Sequence, residues 1–309
     1  MARTQSSIAS WIKHHLTSDS PRSRSLIVTM FGDSVAPYSE GVWLSDLIEL
    51  LAPFGANERL IRTSVFRLTE EGWVVARRDG RRSFYTLAPG GRRRFQQAYE
   101  RVYTPTRSWD STWTVVILPK SENGAPERAE LRRELEWDGY AFLAPGIFVR
   151  PQSAPPTLHD TLKELDLLDR AVVFQARELD ALKGQSISDL VAQCWDLRNI
   201  RASHTKFIES FQPALNLIAS GASLTPEQAF VVQTLLIDAF RRVTLHDPRL
   251  PDSLLPEDWP GHAAYQLCRD LYRQTHKAAR EHLAPRFNLS GVSTAKAPVE
   301  LLRRFGGLD

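Results

Sequence analysis

The segment from Asn57 to Leu87 constrains this chain most, because its residue pattern switches from a helical period to a strand period within a single short stretch. Asn57 is a good helix cap, and Glu58 beside it suits the positive end of a helix. From there to Leu68 the spacing is helical. Ile61, Val65 and Leu68 share one face, and Arg59, Arg62, Thr63 and Phe66 share another. Phe66 could meet a base methyl there, but it reads better as part of the helical core. Gly72 stops the helix. Trp73 to Arg78 and Arg82 to Leu87 then read as strands across Asp79-Gly80-Arg81, and Asp-Gly is a strong hairpin signal. A helix running into a basic hairpin is the recognition helix and wing of a winged helix-turn-helix. Such a helix enters the major groove while the wing touches phosphates or the minor groove. Double-stranded DNA is therefore the first expected partner. Arg59, Arg62, Thr63 and Arg67 are expected to contact it from the helix, and Arg78, Arg81 and Arg82 from the wing.

The charge distribution agrees. The 309 residues carry a net charge of only +3, but residues 1–107 hold 16 Lys and Arg against 10 Asp and Glu. The excess of positive charge thus lies around the expected DNA module. Its basic residues are nearly all arginine, whose fork matches phosphates and guanine edges, although GC-rich codon usage enriches arginine as well. The chain is 42% hydrophobic, enough for ordinary packed cores in two or three domains. Cys194 and Cys268 fit neither a zinc pattern nor a disulfide framework and read as small buried residues in helical segments. No apolar run reaches membrane-spanning length and the polar N-terminus lacks a secretory segment, so a cytoplasmic location is expected.

Along the chain, residues 1–22, polar apart from Ile8 to Ile12, read as a loose arm or short helix and 23–104 as the winged-helix domain. In that domain Ser45 is expected to cap a helix through Leu51, and Pro89 to open one through Tyr103. Residues 110–180 alternate strand, helix, strand, strand, helix, strand, the βαββαβ order of a ferredoxin-like domain. Residues 186–285 read as an α-helical domain with helices over about 188–219, 225–244 and 261–284, and 286–309 as a loosely attached tail with one possible short helix. The expected class is α+β and multidomain.

Three groups of residues in this order resemble the PaaX family of repressors, which control phenylacetate degradation in bacteria. The first runs from Asn57-Glu58-Arg59 through Glu71-Gly72-Trp73 to Gly80-Arg81-Arg82-Ser83-Phe84-Tyr85-Thr86-Leu87. The second is Trp195-Asp196-Leu197. The third comprises Arg241-Arg242, Asp247-Pro248-Arg249-Leu250-Pro251, Leu254-Leu255-Pro256 and Asp258-Trp259-Pro260-Gly261. The resemblance implies a homodimer with a winged helix, a ferredoxin-like centre and a helical C-terminal domain. It also implies release from operator DNA by an aryl-acetyl-CoA thioester such as phenylacetyl-CoA.

An effector pocket is expected around Trp195, Trp259 and Tyr265, whose rings would hold the aryl group while Arg241, Arg242 and Arg249 meet CoA phosphates. The competing reading makes the same tryptophans interhelical anchors and the arginines clamps on a proline-rich loop. His246, Asp247, Asp258 and His262 form too loose a pattern for a metal site, and no nucleophile elbow or phosphate-binding loop is present. No cofactor, metal or catalytic residue is expected. The alternative is a metal-dependent nucleic-acid-processing enzyme built on the central domain. Small CRISPR-associated nucleases of that fold carry an aspartate at the end of the first strand. Here the strand ends Ile117-Leu118-Pro119-Lys120, without a carboxylate.

Overall fold

In the computed structural model, which describes residues 7–105, 109–119, 124–155, 157–178, 186–287 and 299–308, α and β elements succeed one another in the order the periodicities require. The first are α1 (Ile8–Ser18), α2 (Ser23–Met30), β1 (Gly41–Trp43), α3 (Leu44–Leu51), α4 (Glu58–Glu70), β2 (Val74–Asp79), β3 (Arg82–Leu87) and α5 (Pro89–Tyr103). There follow β4 (Trp113–Ile117), α6 (Gly124–Trp137), β5 (Ala141–Ala144), β6 (Ile147–Arg150), α7 (Thr157–Glu164) and β7 (Val172–Ala176). The last are α8 (Ile187–Cys194), α9 (Leu197–Ala219), α10 (Pro226–Thr244), α11 (Gly261–Leu283) and α12 (Val299–Leu302). Residues 1–6 of the expected arm and 288–298 of the expected tail lie outside the described residues. No helix among the described residues is long and apolar enough to cross a membrane.

The elements divide into two units, one of Met1–Pro105, Thr205–Arg242 and Gly261–Asp309, the other of Thr106–His204 and Val243–Pro260. In the first unit, α1 is a docked helix. Ile8, Trp11 and His15 are buried, and the Trp11 indole donates to the Ser210 carbonyl at 3.2 Å. A π-helical turn, Phe31–Val35, follows α2 and carries the buried Asp33. Ser45 does not cap α3: Leu44 is already helical, and the Ser45 hydroxyl turns to Asp46 at 3.2 Å. The three-stranded antiparallel sheet has the order β1-β3-β2, with Trp43 opposite Phe84 and Asp79 opposite Arg82. Gly80 takes φ +56° at the first of the two turn residues, a sign open to glycine and costly for a branched side chain.

The C-terminal residues are built into this unit. Leu301, Phe305 and Leu308 are buried, and the Arg304 guanidinium lies 2.7 Å from Asp33 with both side chains 1% exposed. Tyr103, Tyr272 and Gln233 also donate to the Asp33 carboxylate, at 2.6, 2.9 and 2.8 Å. One buried charge is thereby neutralised and its acceptors are filled. The expectation of a loose tail is corrected for residues 299–308.

The second unit holds a four-stranded antiparallel sheet of order β5-β6-β4-β7. Strand alternation sends Val116 and Phe148 toward Leu131, Leu135, Leu158 and Leu162 of α6 and α7. Trp113 and Val149 point the other way, onto Val191, Trp195, Leu250 and Leu254. Burying each such side chain contributes roughly 1.5–3 kcal/mol. The single helix expected over 188–219 is broken. Trp195 is extended (φ −125°, ψ 136°), which inserts its indole into the sheet's second face, and Asp196 restarts the helix by accepting the Asn199 N–H at 3.1 Å. At the start of α10 the Thr225 and Gln228 side chains cap one another's backbone N–H groups at 3.2 and 3.1 Å.

Candidate nucleic-acid interface

α4 forms where the sequence places it because Asn57 Oδ1 accepts the Leu60 N–H at 2.8 Å and one face is apolar. Ile61, Ser64, Val65 and Leu68 are buried, and α4 packs on α2 and α3. That packing leaves Arg59, Arg62, Thr63 and Arg67 exposed together. Phe66 is exposed as well, at 61%, so the expectation that it joins the core is corrected. It lies among the arginines, and Leu60 near the helix start is 47% exposed. Arg62 is held by Glu58, with Nε to Oε1 2.8 Å, and the Thr63 hydroxyl donates to the Arg59 carbonyl at 2.9 Å. Among the described residues no side-chain hydrogen bond, ion pair or ring contact engages Arg59 or Arg67. A rod presenting guanidiniums, a hydroxyl and an apolar ring in one stripe carries the groups that read base edges and methyls.

In the hairpin, β2 buries only Val74, and residues 75–79 are exposed. Arg82 stacks over the Trp43 ring at 4.2 Å and Arg77 over the Phe84 ring at 5.5 Å, which stiffens both side chains without neutralising them. Arg78 and Arg81 are exposed, and no side-chain hydrogen bond, ion pair or ring contact engages them among the described residues. The seven residues expected from the sequence to meet DNA thus lie on one helix and the hairpin that follows it, within one unit.

The expected effector residues are divided. Trp195, Arg249 and Trp259 belong to the second unit, and Arg241, Arg242 and Tyr265 to the first. Trp195 is buried in the core under the sheet. Trp259 meets the Arg201 guanidinium at 5.6 Å and the His204 ring at 6.0 Å. The Arg249 N–H donates to Asp247 Oδ1 at 2.7 Å. In the first unit, Arg241 donates to Ser25 Oγ at 2.8 Å and Thr29 Oγ1 at 3.2 Å, and Arg242 pairs with Asp238 at 3.3 Å. The Tyr265 hydroxyl donates to the Tyr103 carbonyl at 3.4 Å.

Of the loose metal pattern, Asp247 accepts His204 Nε2 at 2.7 Å, and Asp258 takes both terminal nitrogens of Arg201 at 2.8 and 2.7 Å. The Arg201 bond holds the Asp258 carboxyl below its ordinary value. The described residues contain no group of three or more His, Cys, Asp or Glu arranged to hold a metal ion. Asp110, ahead of β4, is occupied with the Thr112 N–H at 3.0 Å.

A feature not read from the sequence is a cavity of about 210 Å³ inside the first unit, lined by α2, α5 and α10 and by Arg304. Arg241 is the one expected effector residue on its wall. Phe95, Tyr99 and Arg304 join it, and the sequence carries no local signal for them because their placement depends on contacts between distant segments.

Three segments of the chain match family descriptions in order: PaaX-like protein over residues 22–91, PaaX protein central Cas2-like domain over 106–188, and PaaX-like protein C-terminal domain over 195–285. The Transcriptional repressor PaaX of Escherichia coli (strain K12) is 35% identical over 307 residues, covering 98% of this chain and 96% of that protein. Among solved structures, the uncharacterized protein Rv0674 from Mycobacterium tuberculosis aligns with a TM-score of 0.52 and 25% identity, over 84% of this chain and 98% of that one. With identity of this level over nearly its full length, and the three descriptions falling in sequence along it, the chain belongs to the PaaX family.

Proposed function

We propose that this protein is a DNA-binding transcriptional repressor of phenylacetate catabolism genes, released from its operator by an aryl-CoA effector such as phenylacetyl-CoA. The observation that carries the reading is the exposed stripe of Arg59, Arg62, Thr63, Phe66 and Arg67 on α4, followed by a hairpin whose arginines face solvent. The α2, α3, α4, β2, β3 order with the β1-β3-β2 sheet supports a winged helix, and the β5-β6-β4-β7 order supports a ferredoxin-like centre. The name of the Escherichia coli relative supports repression. A homodimer is part of the reading, and its two-fold axis calls for an imperfect palindrome with half-sites one or two helical turns apart. The effector must favour the arrangement that does not bind DNA, since equal affinity for both arrangements would shift nothing.

The test is a gel shift on the DNA upstream of the protein's own gene, titrated with phenylacetyl-CoA and with free phenylacetate. Retardation relieved by the thioester supports the reading. Equal affinity for this DNA and for random DNA would remove it.

The Cas2-like description of residues 106–188 favours one second reading, a metal-dependent enzyme acting on nucleic acid. The lack of a carboxylate over 117–119 and the engagement of Asp110 weigh against it. Cleavage of nucleic acid by the purified protein, lost on adding EDTA, would revive it.

A further inference from the structure

The cavity in the first unit has the chemistry of a ligand chamber. Val28 of α2, Phe95 and Val102 of α5 and Ile237 of α10 make its apolar wall. Arg241 and Arg304 bring guanidiniums to the same space. The Arg304 side chain is 1% exposed, yet among the described residues its Nε–H has no acceptor. The one carboxylate on the wall, Asp33, is already filled by donors from Tyr103, Tyr272, Gln233 and Arg304. A buried donor left unmet is costly, so it marks a place where an acceptor is wanted. Arg241 is balanced by Asp238 at 3.6 Å, as Arg304 is by Asp33, so what the apolar chamber offers is an unmet guanidinium N–H, which suits a compact apolar group that ends in an oxygen acceptor. Size sharpens this. A dry cavity of about 150 Å³ already admits benzene. One of about 210 Å³ holds an aryl ring with a short acyl group, and a nucleotide must stay outside.

The chamber also abuts the base of the hairpin. Leu87, the last residue of β3, lines it. The Phe95 ring stands edge-on to Trp73 at 5.9 Å, and Trp73 immediately precedes β2. The Trp73 carbonyl accepts the Ala88 N–H at 3.0 Å. At Gly91, in the first turn of α5, a Cβ would fall 2.1 Å from that same carbonyl oxygen. The start of α5 is therefore pressed against the hairpin's root, and a displaced Phe95 has Trp73 directly behind it.

We propose that this cavity binds the aryl-acyl end of the effector, and that Phe95 and Trp73 carry its occupancy to the hairpin. The inference rests on the repressor reading for the meaning of the relay, but the binding site stands independently of it. Free arylacetate and its CoA thioester share the group that enters. The thioester leaves its nucleotide outside, on the side where Arg92 is exposed.

Calorimetry on the full-length protein, without DNA, separates these sources with phenylacetyl-CoA, phenylacetate and CoA as three titrants. Ala98→Phe fills the chamber from α5, and Ala98→Leu fills it less, in case the larger side chain prevents folding. Either variant is expected to weaken binding of phenylacetyl-CoA, or of phenylacetate, by at least about tenfold, the scale of losing one buried apolar contact. The heat for CoA alone should not change. Trp73→Leu, which removes the ring behind Phe95 and changes none of the lining residues, should bind the ligand but resist ligand-driven release in a gel shift. Ligand affinity within about threefold of the unmodified protein in a folded Ala98 variant overturns the site, because the filled volume could then not be the binding volume. Absence of any ligand heat with the unmodified protein overturns it as well. Unhindered release by Trp73→Leu overturns the relay. If the ligand heats behave as expected and no DNA is retarded, the repressor reading fails and the site remains.

Discussion

Arg62 and Arg304 show how one side-chain type serves opposite ends. Arg62 is 55% exposed and paired with Glu58 one helical turn away. Such a solvated pair is worth about 0.3–0.5 kcal/mol and is screened by salt. A bidentate guanidinium–guanine contact contributes about 1–3 kcal/mol of discrimination, so under the proposed function DNA would outcompete Glu58. Arg62→Ala should therefore weaken operator binding by roughly 1–3 kcal/mol in a gel shift while leaving thermal stability unchanged. Unaltered affinity would take Arg62 out of the interface. Arg304 is the reverse case, fully buried on Asp33. Arg304→Ala would leave a buried carboxylate without its charge partner, and such losses cost about 3–5 kcal/mol. Urea unfolding should show a drop of that order, and a change below about 1 kcal/mol would mean that the network does not hold the C-terminal residues in place. The exposure of Arg62 was legible in the sequence, since helical spacing groups it with Arg59 and Phe66, beside the face of Ile61, Val65 and Leu68. The burial of Arg304 was not, because nothing near it announces that its partner lies 271 residues earlier.

At the scale of elements, propensity and capping located most boundaries, and tertiary demands moved the rest. Asn57, Thr225 and the Gly80 turn act where their chemistry requires. The break between α8 and α9 escaped the periodicity because apolar spacing runs through it. Only the burial of Trp195 beneath the sheet shows why the chain must leave the helix there. α1 lies in a segment that read as a loose arm or short helix, polar apart from Ile8 to Ile12, and its docking depends on three residues that no local pattern marks as buried together. One of them, His15, lies between Trp11 at 5.0 Å and Phe211 at 4.9 Å. Burial pushes its pKa below the ordinary histidine value; Asp19 opposes that shift, and Arg242, His14 and Lys206 add to it. The unfolded chain then takes up this proton before the folded one does. His15 packing is fully favourable above about pH 6.5 and is weakened as pH falls below it toward the lowered folded value. Hydrogen exchange of the α1 amides, divided by the intrinsic rate that itself slows as pH falls, should show excess opening between pH 7 and pH 5, and His15→Leu should suppress the excess. An excess that survives His15→Leu would assign it to other groups.

For the whole molecule, the order of its three segments could be read along the chain, because each carries its own period. The division into units could not. Thr205–Arg242 and Gly261–Asp309 join Met1–Pro105 through contacts between segments more than a hundred residues apart, and no local pattern encodes such pairings. Charge is the whole-molecule property the sequence did convey. The positive excess over residues 1–107 coincides with the exposed α4 and hairpin arginines, while the rest of the chain is net acidic. Phosphate neutralisation by such a surface releases counterions, so log K for DNA falls linearly with log salt, by about 0.9 for each phosphate engaged. Arg81 and Arg82 at the hairpin tip are the arginines best placed to reach phosphate, with Arg82 already oriented by the Trp43 ring. Replacing both by Ala should lower the slope by about 1.8 and weaken operator and random DNA alike, since phosphates carry no sequence information. Arg62→Ala should instead act chiefly on the operator, leaving random DNA almost as tightly bound. Measuring both variants against both DNAs at several salt concentrations separates the two roles, and an unchanged slope in the double variant would mean that the hairpin does not lie on the backbone.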